Sequence, residues 1–260
     1  NPDYVQRETR NIWQPLNSPS KHYPQMPPYQ LPAGIKLKIL EVLLETPAIE
    51  KIGKHYFADW GIHKGRVSTF ISQQLKHSGT NDIFARKLSI ITSPAHGDLN
   101  ANNILISSRE ANVFLLDFPC YHDKGHALQD LASLESQLKF YLLDQHEGEG
   151  GDHPVLDQNL DQLPLWKELE DRLLNDAQPV KFKLWMCATR SNTKGVTLIF
   201  ELLQCLRHAA IAVQAQQGGA EPPGFFEEYL PSLLFHTLRA ISHNLTDPKR
   251  VLAIYSASEI

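Results

Sequence analysis

An Asp in a loop, an Asn five residues later and a second Asp closing an apolar run form a set of side chains that phosphoryl transfer can use. The chain carries them in His96-Gly97-Asp98-Leu99-Asn100-Ala101-Asn102-Asn103 and in Val113-Phe114-Leu115-Leu116-Asp117-Phe118. One carboxylate can orient an acceptor hydroxyl, while an amide and a second carboxylate hold metal ions on nucleotide phosphates. The spacing predicts how they meet. Ile104-Leu105-Ile106 reads as a short strand, Ser107 to Asn112 as polar turn material, and Val113 to Phe118 as a second, buried strand. Such a hairpin returns Asp117 to the neighbourhood of Asn103. Oxygen donors of this kind suit magnesium, which leans on one or two protein ligands plus phosphates.

His96-Gly97-Asp98 with Asn103 and Leu116-Asp117-Phe118 resembles the catalytic and metal-binding motifs of the aminoglycoside phosphotransferase and choline kinase branch of the protein-kinase-like fold. The run from Gly125 to Glu135 resembles the same branch, in which an Asp-Leu-Ala step, here Asp130-Leu131-Ala132, opens the next helix. More narrowly, the chain is similar to the kinase-like ternary complex associated domains of bacterial signalling and conflict systems. The resemblance implies ATP and magnesium as cofactors. It makes Asp98 the catalytic carboxylate, His96 the brace of the catalytic loop, Asn103 and Asp117 the cofactor and metal ligands, and Asp130 a structural support. Two positions depart from the protein kinases. Gly97 stands where they carry the Arg that reads a phosphorylated activation loop. Pro119 stands where they carry Gly, which removes a backbone donor and fixes one dihedral. Control by activation-loop phosphorylation is therefore not expected.

Those residues need a scaffold, and the composition provides for one. With 42 % hydrophobic and 21 % charged residues among 260, the chain has the make-up of a globular protein, and wholesale disorder is excluded. A net charge of −4 gives no electrostatic footprint for nucleic acid or for an anionic membrane surface. Cys120, Cys187 and Cys205 are too few and too scattered for a disulfide framework or a structural zinc site, which fits a reducing cytoplasm. No apolar run reaches the length of a membrane span, and the first residues lack a signal-peptide pattern. Asn244-Leu245-Thr246 is then a chance match to a glycosylation acceptor.

Residues 1–33 hold seven of the 17 prolines and read as an extended segment that excludes long helices and a central strand. The chain opens on Asn1 rather than Met, as a processed fragment would. Helices are predicted at Ile35 to Glu45 and Lys64 to Lys76, and a short strand at Leu88 to Ile91 leads into the loop. Beyond Asp117, Pro119 to Gly125 reads as a short counterpart of an activation segment. Ala127 to Asp144 reads as a helix with Asp130 at its positive end, and Glu147 to Leu163 as a flexible acidic loop. Further helices are predicted at Leu165 to Ala177, Val196 to Gln216, Phe225 to Asn244 and Pro248 to Ala257. His122, Asp123 and His126, and likewise His146, Glu147, Asp152 and His153, have metal-binding chemistry but read as solvated or hydrogen-bonded loop residues.

The expected fold is α+β and mainly α: a kinase-like C-lobe over residues 34–260, with one small β-hairpin near its centre. A complete kinase-like enzyme places a β-rich lobe ahead of this point, with a Gly-rich strand and a Lys strand. Gly53, Gly61 and Gly65 do not form that Gly pattern, and the Pro-rich start is too short and irregular for five strands, so the N-lobe reads as absent. Two functions fit. One is the catalytic lobe of an ATP- and magnesium-dependent kinase acting on a hydroxyl acceptor. The other is a non-catalytic module that binds a protein partner or the missing lobe. By either reading the isolated chain is expected to be inactive.

Overall fold

In the computed structural model, residues 6–10, 33–76, 88–107, 112–118, 120–141, 163, 167, 170, 194–215 and 225–260 are described. Among them seven α-helices accompany two small antiparallel sheets, so the fold is α+β and mainly α. No described helix is long and apolar enough to cross a membrane. The chain divides into two compact units, and it passes between them more than once.

The first unit takes in Lys76–Gln137 and Leu206–His236 together with the N-terminal strand. Its three-stranded sheet has the order β1 (Gln6–Arg10), β2 (Leu88–Ala95), β5 (His122–His126), with β2 in the centre and antiparallel to both neighbours. β1 falls in the proline-free stretch after Pro2 and sits at the sheet edge, compatible with a segment that could not supply a central strand. The rest of the Pro-rich segment lies outside the described residues. β2 runs four residues beyond the strand predicted at Leu88 to Ile91, and its register against β5 shifts between Ser93 and Ala95. Pro94 lies at that shift, where a residue without an N–H interrupts the ladder least. The stretch read as a short counterpart of an activation segment thus contains the start of β5. His122–His126 pairs with the extended β2, and the alternation that would have shown it is short and polar.

The second sheet is the hairpin of β3 (Ile104–Ile106) and β4 (Val113–Leu115), with Leu105 opposite Phe114 and Ile106 opposite Val113. The second strand of this hairpin was expected to be buried. It is shorter than Val113 to Phe118, and every residue from Val113 to Phe118 is exposed. Four apolar residues in a row satisfy a buried-strand pattern equally well whether or not anything covers them.

Helix α4 (Gln129–Phe140) begins in this unit and α5 (Lys194–Ala215) ends in it. The first turns of α6 (Phe225–Ser242) complete it. A buried polar network ties these helices together. Arg207 donates two bonds to the Glu135 carboxylate, at 2.9 and 2.6 Å, and the Tyr229 hydroxyl donates a third at 2.7 Å. Burial, and then the Glu135 charge, push the Tyr229 phenol far above its usual range, so it acts as a donor. Glu228 joins α6 to the sheet: its Oε1 accepts from the Ile91 N–H at 2.6 Å and lies 3.2 Å from His126 Nε2.

The second unit contains α1 (Ala33–Glu45), α2 (Pro47–Tyr56), nearly all of α3 (Trp60–Lys76) and α7 (Asp247–Glu259). α2 was not foreseen. Pro47 in its first turn is pre-set for a helix start, and the break at Phe57 lets α3 begin at Trp60 rather than at Lys64. Trp60 packs flat against Gly53, where an added Cβ would come within 2.2 Å of the indole. Phe57 stacks on Tyr255 of α7 with centroids 4.6 Å apart, and His63 Nδ1 meets Ser258 Oγ at 2.9 Å. Lys139 and Glu170 form a fully buried ion pair at 2.8 Å. Glu170 and Lys167 are the described residues of the helix predicted from Leu165. The remainder of that helix, and the acidic loop before Leu163, lie outside the described residues.

Candidate functional site

The loop after β2 is fixed by backbone donors meeting a carboxylate. Asp130, in the first turn of α4, accepts from the His96 N–H at 2.7 Å and from the Gly97 N–H at 2.9 Å. Next to it, Gln129 donates its side-chain amide to the Gly97 carbonyl at 3.1 Å. Gly97 has φ of 83°, a conformation that side chains disfavour, and a Cβ there would lie 2.0 Å from the Cys120 carbonyl oxygen. A larger residue at 97, such as the Arg of protein kinases, would therefore not fit this loop.

His96 itself is buried. Its Nε2 lies 2.7 Å from the Leu116 carbonyl oxygen, so this nitrogen carries the proton and donates, and the ring packs on Phe118 with centroids 4.6 Å apart. His96 thus links the loop to the backbone next to Asp117.

Asp98 is held by two amides. Asn100 Nδ2 and Asn103 Nδ2 both donate to the Asp98 carbonyl oxygen, at 3.1 and 3.0 Å, while Asn100 Oδ1 caps the short helical turn Ala101–Asn103 through the Asn102 N–H. With its nitrogen committed, Asn103 has its side-chain oxygen left for another partner. The Leu116 N–H donates to the Asn103 carbonyl at 2.8 Å, which sets Asp117 one residue from a direct tie to Asn103. Asp117 is exposed and holds φ of 57°, an unusual state for a residue with a side chain. Strain of this sort gathers at functional positions.

Neighbouring β5 adds titratable groups. Burial pulls the His122 imidazole below its usual range, partly offset by Asp130 and Asp123. A hydrogen bond to Asp123 raises the Tyr121 phenol. Among the described residues no three His, Cys, Asp or Glu side chains gather as a metal cluster. His126 faces Glu228, and His146, Glu147, Asp152 and His153 lie outside the described residues. The donors at the loop are one amide oxygen and one carboxylate, a set that fits magnesium shared with phosphate and would not hold a metal alone.

Hydrogen bonds thus link His96 to Asp130, Asn103 to the Asp98 carbonyl, and both His96 and Asn103 to Leu116, the residue before Asp117; among the described residues Asp117 itself is joined to the loop only through that neighbour. The sequence reading passed over Gln129, Asn100 and Glu228. The first two have local signals, since Gln129 adjoins Asp130 and Asn100-Ala101-Asn102 has the spacing of a side-chain cap. Glu228 has none, because it reaches a backbone N–H 137 residues away.

The profile of ternary complex associated domain 9 matches residues 74–241, well over half of the chain. The chain belongs to the ternary complex associated domain 9 family. The match covers the whole loop system, from the end of α3 through β2, both hairpin strands and α4 into α6. No curated protein and no solved structure matches this family member.

Proposed function

We propose that the loop system is an ATP- and magnesium-dependent phosphotransfer site of the kinase-like type, acting on a hydroxyl-bearing acceptor. The observation that supports this reading is the Leu116 N–H to Asn103 carbonyl bond, which ties the residue before Asp117, itself at φ 57°, to Asn103, whose side-chain amide donates to the Asp98 carbonyl. Asp98 takes the acceptor proton as the hydroxyl oxygen bonds to the γ-phosphorus and the bond to the β–γ bridging oxygen breaks, releasing ADP. Asn103 and Asp117 would hold magnesium, which supplies charge neutralisation on the phosphate oxygens. Asp130 and Gln129 keep the loop from relaxing, and positioning of this kind accounts for most of the catalysis such a site can offer.

A second reading is a non-catalytic kinase-like module whose role is to bind protein partners in the cytoplasm. The family description, ternary complex associated, supports it. So does the described chain ahead of β2, where residues 33–76 form three helices and no strand pair that could cover phosphates.

Manganese can replace magnesium and broadens nearby NMR signals. With millimolar manganese-ATP the backbone signals of residues 98–105 and 116–118 are expected to broaden, and Asp117→Ala to abolish the effect. Broadening that is absent, or that falls elsewhere and survives Asp117→Ala, favours the binding-module reading and overturns the first.

A further inference from the structure

The second unit brings cations from α1 and α6 to a single histidine. His243 directly follows α6, its N–H donating to the Ala240 carbonyl at 3.0 Å, and Arg239 stands in the last turn of that helix. Residues four apart along a helical turn are neighbours on its surface. Lys38 of α1 acts on the same imidazole, and Tyr141, just past α4, sets its ring edge-on to it with centroids 6.1 Å apart. Lys38, Arg239 and His243 are exposed and Tyr141 is half-buried, so a ligand in water can reach the cluster.

No carboxylate answers these charges. None of the ion pairs among the described residues takes in Lys38, Arg239 or His243. Asp247, the carboxylate next along the chain from His243, lies 3.5 Å from Arg250 instead. Glu41, a turn beyond Lys38 on α1, forms no ion pair with it. Burial pulls the His243 imidazole below its usual range, and Arg239 and then Lys38 pull it further. Burial pushes the Tyr141 phenol up to about 12 against the opposing effect of Arg239, so it keeps its proton to donate.

We propose that Lys38, Arg239, His243 and Tyr141 form a binding site for a phosphate-type dianion, either free phosphate or the phosphate of a monoester. The two fixed cations balance the charge such a group carries at neutral pH. The guanidinium offers planar paired donors to two of its oxygens, the ammonium a point charge and the phenol an O–H. A dianion beside the imidazole favours its charged form, so His243 takes up a proton as the ligand binds and becomes a third cation. All four residues belong to the second unit and the loop from His96 to Asn103 to the first, so the site does not depend on the phosphotransfer reading.

The test is NMR titration of the His243 ring in the full chain, with sodium chloride holding the ionic strength constant. Sulfate serves as the first probe because its charge does not change over the range in which histidine titrates. At about 10 mM it is expected to raise the His243 midpoint by about 1, and to bind several-fold tighter near pH 5.5 than near pH 8. Arg239→Gln and Lys38→Gln should each abolish the effect, and each should raise the anion-free midpoint because a repelling cation has gone. Lys51→Gln, an exposed cation of α2 that does not act on His243, should leave the effect in place. Unchanged far-UV circular dichroism in these surface variants separates lost binding from lost folding. Inorganic phosphate and glycerol 3-phosphate, compared at one pH, distinguish the sources: tighter binding of the first supports the free ion, and of the second a monoester. A wild-type midpoint that sulfate leaves in place overturns the proposal, and so does one that moves equally in Arg239→Gln and Lys38→Gln.

Discussion

Gly97 carries the least replaceable backbone in the loop system. Its φ of 83° is open to glycine and costs another residue about 1–2 kcal/mol. The Cβ of alanine would also meet the Cys120 carbonyl oxygen at 2.0 Å, a backbone atom that cannot swing aside. Gly97→Ala should therefore destabilise the protein by about 2–4 kcal/mol in urea unfolding, the sum of conformational strain and steric shift. A loss under about 0.5 kcal/mol would show that the loop has slack and that Asp98 is not rigidly held. Sequence gave notice of Gly97 only as a departure from the Arg of protein kinases. That Cys120 occupies the space of a side chain follows from β5 pairing with β2, a contact between segments that no local pattern announces.

At the scale of elements, what was legible tracked length and period. The helices at Ile35, Ala127, Val196, Phe225 and Pro248 were found within a few residues, because the first four place apolar residues along one face over three or more turns and Pro248 marks the start of the last. The one missed, α2, is short, at 10 residues. α2 carries only two buried residues, Ile49 and Gly53, and it exists to bring Gly53 against Trp60 and Glu50 to its cations. Glu50 lies 3.0 Å from Lys54, is hydrogen-bonded to Lys64 and accepts from the Trp60 indole at 3.3 Å. The two lysines, Lys64 foremost, hold its carboxyl down at about 2 from an ordinary 4.5. Since the folded value is the lower one, this stabilisation is complete above pH about 4.5 and disappears as the pH falls towards 2. The urea midpoint gap between wild type and Glu50→Gln should accordingly be flat from about pH 7 to 5 and close by about pH 2. Salt near 1 M should narrow it, because Glu50 is partly exposed. A gap that widens on acidification would contradict this account.

For the whole molecule, the question is how much of a nucleotide site 260 residues can assemble. On the proposed phosphotransfer reading, Asp98 would accept the proton and Asn103 and Asp117 would offer oxygen donors, in a loop braced by His96, Gln129 and Asp130. Adenine and the α/β-phosphates need more: a covering loop with backbone donors and a fixed cation. Among the described residues ahead of His96, three helices and two strands of a packed sheet leave no element in that role. Phosphoryl transfer depends on positioning and charge stabilisation, so a nucleotide held only through its metal-bound end is held loosely and in many poses. Calorimetric titration of this chain with magnesium-ATP should therefore give a dissociation constant above roughly 100 µM, with negligible turnover, even though Asp98, Asn103 and Asp117 are all present. Adding a protein that carries the covering loop and cation should tighten binding if the site is a kinase half. Micromolar affinity in the chain alone, lost in Asp117→Ala, would mean instead that these residues already hold the nucleotide fully and that a phosphate cradle lies outside the described elements.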